Sequence, residues 1–475
     1  MKRTKRILPV AVIAALMGLS TPAFATGHID NDELLRLVKQ QAAQIKALQA
    51  RLAVIEDRES QPSTSKDGAA PVHGAGNTAA ATAAPSAAGH ADSVRWGGHG
   101  EAGPVFSSDD GFFTFAPAGR LLVDYTATRG SSDPGRNING SRVTDARLGA
   151  KGTMGALGYY VQVKFTDGKA GLRQAYLSYS TPLLGHHAVF YLGNFFKDLG
   201  IDGSSASVNL PFMLRDAATM VGEPVNRYYG LGMQMRMYGD NWHYSLSVSG
   251  DAPGNASNGS TSDSVVYLTR AHWNPIKTDA GFMHVGAWYY YEHLSPGVAS
   301  INDHPSIALD FNENLDVKAG AVPDPTQDHA TGYELGGVYR SFWAVGEYAR
   351  RSVDSASVGT ARRHGSSLSA GWMITGEKPG FSSRGGNWQW VRVNHPVTSG
   401  GWGAFELATR VDHYDYRGGA PFGGDGQSYT LGVNWYLNDW SRVMFNYIRW
   451  HTDNRIGDTG SDWGHSFGLR TQLMF

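Results

Sequence analysis

The chain has 475 residues, no cysteine, and 41 bases against 42 acids, for a formal charge of −1. The missing cysteine excludes disulfides and thiolate–metal chemistry, and the near-neutral balance excludes a basic nucleic-acid surface. Beyond the leader there is no run of about 20 apolar residues, which excludes a spanning helix.

Residues 1–25 have the form of an export signal. Lys2, Arg3, Lys5 and Arg6 open it, Leu8 to Leu19 is its apolar middle, and Ala23-Phe24-Ala25 has the small-x-small cleavage form. The mature chain is then expected to start at Thr26. Loss of the leader removes four bases and no acid, leaving 37 bases against 42 acids, or −5. Any preference for anions must therefore arise from local placement.

Residues 26–58 are expected to form a short periplasmic helix. Leu34, Val38, Gln41, Ile45, Leu48, Leu52 and Ile55 recur at alternating spacings of 4 and 3, a coiled-coil seam with one polar position. A seam this short needs something else to hold its chains together; a helix packed on its own barrel is the alternative. Residues 59–96 are Ala, Ser, Pro, Gly and Thr with scattered His, which predicts a flexible linker. His73 and His90 are not at ligand spacing, so no metal is expected.

From residue 97 to 475 the texture changes to short alternating runs between Gly, Asn, Asp and Ser. Phe467, Leu469, Thr471, Leu473 and Phe475 share one face of the last strand, and Ser466, Gly468, Arg470 and Gln472 the other. Leu231, Met233, Met235 and Met237 alternate with Gln234 and Arg236. Phe405, Leu407 and Val411 alternate with Glu406, Arg410 and Asp412. Strands that are apolar outside and polar inside must close into a barrel, since only a closed sheet pairs every backbone group in lipid. The fold class is therefore an all-β, transmembrane antiparallel β-barrel preceded by the short coiled-coil helix. Sixteen strands allow about 24 residues each, and a barrel of that size should hold water. Trp288 to Tyr291, Trp388, Trp390, Trp435, Tyr436, Tyr447 and Trp450 are read as headgroup-level girdles. Gly464-His465-Ser466-Phe467-Gly468 matches the nucleophile-elbow pattern, but no helix follows the serine, so no catalytic residue is assigned.

The barrel segment resembles the phosphate-selective porin O and P family. The matching pieces, in order, are residues 119–124, 146–152, 173–179, 193–197, 375–377, 403–410 and 431–438, followed by the terminal Phe475. The resemblance implies a homotrimeric, water-filled outer-membrane porin for small anions, with a loop folded into the pore at about residues 197 to 220. It carries Lys197 and Arg215 over as constriction candidates, with Asp198 as counter-charge. One departure matters: Thr144 and Asp145 stand where the family often has paired arginines, so an acid is expected to repel anions there.

By strand parity, Arg120, Arg147, Lys151, Lys164, Arg236, Arg410 and Arg470 join the pore lining. Arg236 has no acid two residues away and reads as the freest donor, whereas Glu406, Arg410 and Asp412 read as a brace. Expected partners are outer-membrane lipid and lipopolysaccharide, the barrel assembly machinery (through Phe475) and peptidoglycan (through the N-terminal helix). No cofactor, nucleic acid or enzymatic activity is expected. The alternatives are a general or sugar-type porin of the same barrel, and a tether formed by the N-terminal helix.

Overall fold

The computed structural model describes residues 93–96, 103–166, 168–225, 227–253, 263–419, 423–454 and 460–475. The expected leader, coiled-coil helix and nearly all of the linker lie outside the described residues. Sixteen antiparallel strands form one closed sheet. They are β1 Phe113–Arg129, β2 Asn139–Met154, β3 Leu157–Thr166, β4 Lys169–Leu183, β5 His186–Phe196, β6 Tyr229–Tyr238, β7 Trp242–Gly250 and β8 Val265–Trp273. After these come β9 Gly281–His293, β10 Pro325–Tyr339, β11 Phe342–Ser355, β12 Gly359–Met373, β13 Ala404–Gly418, β14 Asp425–Asn438, β15 Ser441–Asn454 and β16 Gly460–Met474. Each strand pairs with the next, and β16 pairs back on β1 from His465↔Arg129 to Met474↔Arg120.

The period-2 pattern sets the faces. Leu469 is 44% exposed on the outer wall while its neighbour Arg470 is 3% exposed inside. Exposed apolar and buried charged side chains invert the order of a soluble protein, as lipid outside and polar lumen require. Across the seam, Arg470 makes a bidentate pair with Asp124, at 2.6 and 2.7 Å, which ties the first strand to the last.

The interior differs from the wide, wet lumen expected. Three long segments, 197–228, 294–324 and 374–403, pack against the inner wall. They carry apolar runs that the wall receives: Ile307, Leu309 and Val317 pack with Tyr414, Met444 and Trp450. Phe212 and Trp388 likewise pack with Trp343 and Val345. The girdle assignment is corrected in part for the same reason. Trp388 and Trp390 belong to the third segment and are buried inside, as are Trp288, Tyr290, Tyr436 and Trp450. Adjacent residues of a strand point to opposite faces, so in Trp435-Tyr436 only one ring can reach lipid. Tyr289 faces outward, and Trp435 stacks on Phe405 at 5.7 Å.

The chain terminus is built into the seam. Phe475 N–H donates to the Gly119 carbonyl at 3.0 Å, and Gly119 N–H returns a bond to Phe475. A Cβ at Gly119 would meet the Phe475 ring at 2.4 Å and the Arg147 carbonyl oxygen at 2.9 Å. Gly119→Val is therefore expected to weaken barrel closure by about 1–3 kcal/mol. The check is the fraction of heat-modifiable, folded protein on a gel; a parental fraction would contradict it.

Candidate functional site

The segment 197–228, the inner loop, crosses the barrel; it reaches β9 through Val225 N–H to Glu292 at 2.8 Å, and most of its bonds go to β11–β16. Glu347 of β11 accepts from Ile201 N–H at 2.7 Å and Asp202 N–H at 3.0 Å. Asn434 of β14 donates to the Pro211 carbonyl, and Arg442 of β15 to those of Val208 and Leu210, all at 2.9 Å. Asn446 accepts from Met213 N–H, and Gln472 of β16 donates to Val208. Arg410 donates to the carbonyls of Leu214 and Arg215 and pairs with Asp412 at 2.7 Å. These buried polar groups satisfy loop backbone that has no strand partner, which is how irregular chain is held in a barrel.

The loop contains a short helix, α1 Ala217–Val221, capped by Asp216 through Thr219 N–H at 2.8 Å. Burial, with Asp202 and Asp412 close by, pushes the Asp216 carboxyl up to about 7. A released loop would ionise near 3.8. Across the window from about pH 4 to about pH 7 the docked loop keeps a proton that the released loop loses, so docking weakens as pH rises. Asp216→Asn, which retains the cap, should reduce that dependence, the remainder belonging to Asp202, whose carboxyl burial also pushes up. Hydrogen exchange of residues 205–221, corrected for intrinsic rates, reads it; a variant as pH-sensitive as the parent would contradict it.

With the loop docked between β7 and β16, open space remains along β1–β4. A cavity of about 420 Å³ lies there, lined by seven cations (Arg120, Arg147, Lys164, Arg173, Arg215, Arg227 and Arg470) and three carboxylates (Asp145, Glu223 and Asp310). A larger groove, about 820 Å³, runs on the outer wall along Tyr429, Tyr447 and Trp463 and leads nowhere through the barrel.

Two β-bulges shape the cavity. One, between Leu122 and Val123, leaves Thr144 as the extra residue of β2. Thr144 then donates to Asp124 at 2.7 Å while Asp145 also turns inward. Asp145 bonds Arg147 Nε at 2.7 Å and Arg120 Nη2 at 2.8 Å. It therefore bridges two guanidiniums instead of simply opposing an anion. The second bulge makes Arg173 the extra residue of β4, and both Arg173 and Gln174 line the cavity. A bulge re-aims side chains that strict alternation would send elsewhere.

The sequence-chosen residues separate into groups. Arg120, Arg147, Lys164, Arg215 and Arg470 come together at the cavity. Arg215 also holds the inner loop, donating to the carbonyls of Asp202 and Ser205. Lys151 pairs in register with Tyr160 and is absent from the cavity lining. Arg410 lies beneath the inner loop and is paired with Asp412; Glu406 instead accepts from Trp343 and Tyr436.

Two expectations are corrected. Lys197 is 1% exposed and donates to the Arg227 and Tyr229 carbonyls, so it faces backbone and not open space. Arg236 is not a free donor: it bonds Gln234 at 2.8 Å and the Phe196 carbonyl at 3.0 Å, with Asp198 4.0 Å away. Asp198 is the counter-charge of a buried cluster, bonded to Arg270 at 2.8 Å and His243 at 2.6 Å.

Arg173, Arg227, Tyr228 and Tyr229 were not selected from the sequence. Arg173 escaped because its bulge hides it from parity, and the other three because they lie where a long loop runs into the first residue of β6. Among the described residues no salt bridge is present for Arg173 or Lys164. Arg147 completes the cavity wall by donating to the Tyr229 hydroxyl at 2.8 Å. Ser466 is fully buried mid-strand, with Thr128 and Trp450 as partners.

The sequence model of the family described as phosphate-selective porin O and P matches residues 115–475. An uncharacterized protein of Caulobacter vibrioides is 26% identical over 468 residues, covering 92% of this chain and 89% of that one. Porin O of Pseudomonas aeruginosa is 24% identical over 313 residues, covering 60% of this chain and 69% of its own. Among solved structures, the outer-membrane protein OmpT of Vibrio cholerae is similar with a TM-score of 0.50 at 12% identity, covering 78% of this chain and 100% of that one; this likeness is one of fold.

Proposed function

The chain belongs to the phosphate-selective porin O and P family and is an outer-membrane porin, and from that premise we propose that its passage prefers small anions of the phosphate class. The observation that carries the proposal is the cavity beside the inner loop, where seven cations face three carboxylates. The mature chain is acidic as a whole, so this excess is local, and a porin selects by the sign of charge at its narrowest place. Among the described residues Lys164 and Arg173 are its cations outside any salt bridge, Arg227 is exposed but paired with Glu223, and Arg120, Arg147, Arg215 and Arg470 shape the field around them. Passage lowers the barrier that lipid raises against a hydrated solute and requires no covalent step. The working form is a homotrimer, embedded in lipid and lipopolysaccharide, with the N-terminal segment in the periplasm and available to peptidoglycan. Phe475 serves as the signal to the barrel assembly machinery.

A general porin without phosphate preference is the second reading, favoured by Asp145 between Arg120 and Arg147, which cancels part of the guanidinium charge. Reversal potentials of the purified protein in a potassium chloride gradient test the first reading. It predicts the sign of an anion-preferring channel and partial block of chloride current by added phosphate. A cation sign would overturn it; an anion sign without phosphate block would favour the second reading.

A further inference from the structure

We propose that the solutes this passage is shaped for are organic anions bearing a flat unsaturated ring, with aryl carboxylates as the simplest class. The inference rests on the anion-porin reading above and narrows it.

Rings and cations alternate along the open wall. On β3, β4 and β5, Tyr160, Tyr176 and Tyr191 stand edge to face, with centroids 5.9 and 5.2 Å apart. They are half-buried on the lumen side, where Tyr160 accepts from Gln162 Nε2 at 2.8 Å and Gln162 in turn accepts from Arg147 at 3.2 Å. The row runs across three adjacent strands at nearly one level, with Tyr160↔Tyr176 in register, and Tyr228 and Tyr229 add two more rings in the cavity lining itself. Guanidiniums lie over these rings: Arg236 over Tyr191 at 5.6 Å, Arg173 over Tyr229 at 5.8 Å, and Arg215 over Tyr228 at 4.7 Å. Across the cavity the inner loop contributes Leu210, Met213, Leu214 and Met220. Of its acids, Asp198, Asp202 and Asp216 are buried, while Glu223 lines the cavity and pairs with Arg227 at 3.0 Å.

This lining exceeds what an inorganic anion can use. Phosphate needs N–H donors and water, and gains nothing from an aromatic edge or a methionine opposite it. A ring carrying a carboxylate uses both: the carboxylate meets the guanidinium edge, and the ring takes the place beside the tyrosines that water would otherwise fill. A wall that only needed to be wet could be built of small hydroxyls, as β7 shows with Ser245, Ser247 and Ser249 on its inner face. Rings that merely braced the wall would be fully buried, and Tyr160, Tyr176 and Tyr191 are only half-buried.

The test uses the full-length protein in a planar bilayer carrying a chloride current, to which acetate, phosphate or benzoate is added. Acetate and benzoate share the carboxylate and differ in the ring. Benzoate is expected to interrupt the current at a concentration about tenfold below acetate, the factor one well-placed aromatic contact can supply, and below phosphate. Tyr176→Leu, which keeps an apolar side chain and the strand, should bring benzoate block to the acetate level. Benzoate no stronger than acetate in an anion-selective channel would overturn this inference alone, as would aryl block that survives Tyr176→Leu. A cation-signed reversal potential would instead overturn the reading beneath it. The wild-type comparison decides the matter even if the variant folds poorly.

Discussion

Replacing Arg410 with alanine is expected to free the inner loop and leave a wider, less selective channel in a barrel that still folds. Arg410 is 4% exposed and lies over the Phe212 ring at 4.6 Å. It donates to the Leu214 carbonyl at 2.9 Å and to Asp412 at 2.7 Å, with Asp202 at 3.8 Å. Truncation leaves two buried carboxylates without their cation, a loss of roughly 3–5 kcal/mol. The sheet is closed by strand pairing on every side, so the loss falls on the docked segment and not on the wall. Single-channel recording should show higher conductance and a reversal potential nearer zero, with normal heat modifiability. Unchanged conductance and selectivity in folded protein would show that Arg410 does not hold the loop.

Asp145→Asn is expected to act in the opposite direction and sharpen anion preference. The carboxylate lies between Arg147 and Arg120 at 2.7 and 2.8 Å. The amide keeps the shape and one acceptor while adding a unit of positive charge to the cavity. At about 4 Å and an effective dielectric of about 20, a unit charge is worth about 4 kcal/mol, and salt in an aqueous passage screens most of it. Even about 1 kcal/mol of the remainder changes a permeability ratio about fivefold. The reversal potential should move further in the anionic direction, and phosphate should block at lower concentration. A shift towards cations, or none, would mean that this cluster lies off the path.

The fold was legible because lipid enforces a simple rule. The alternation of Phe467, Leu469 and Thr471 with Ser466, Arg470 and Gln472 has one physical solution once no helix can span. The family resemblance placed one inward loop at about residues 197 to 220, and two further inward segments, 294–324 and 374–403, carried no such mark. The site was only partly legible, for three reasons. Bulges at Thr144 and Arg173 shift parity by one residue, and nothing in the local sequence marks them. The partners that occupy Lys197 and Arg236 come from other segments: the carbonyls of Arg227 and Tyr229 for the first, Asp198 and the Phe196 carbonyl for the second. An acid-free strand therefore does not make a free cation. Trp388 and Trp390 read as girdle residues by type, and their burial follows from a segment that turns inward, which composition does not reveal.

With the inner loop docked between β7 and β16, solutes are expected to pass along β1–β4. The chain has no cysteine, so single cysteines can be read against a silent background. Arg173→Cys sits on the open wall, and Val345→Cys, 4% exposed in the parent, lies beneath the loop. An anionic thiosulfonate added to an open channel should modify position 173 and reduce the current in steps, while position 345 stays unreactive until the protein is unfolded. Rapid reaction at 345 with protection at 173 would place the passage on the other wall and contradict the account.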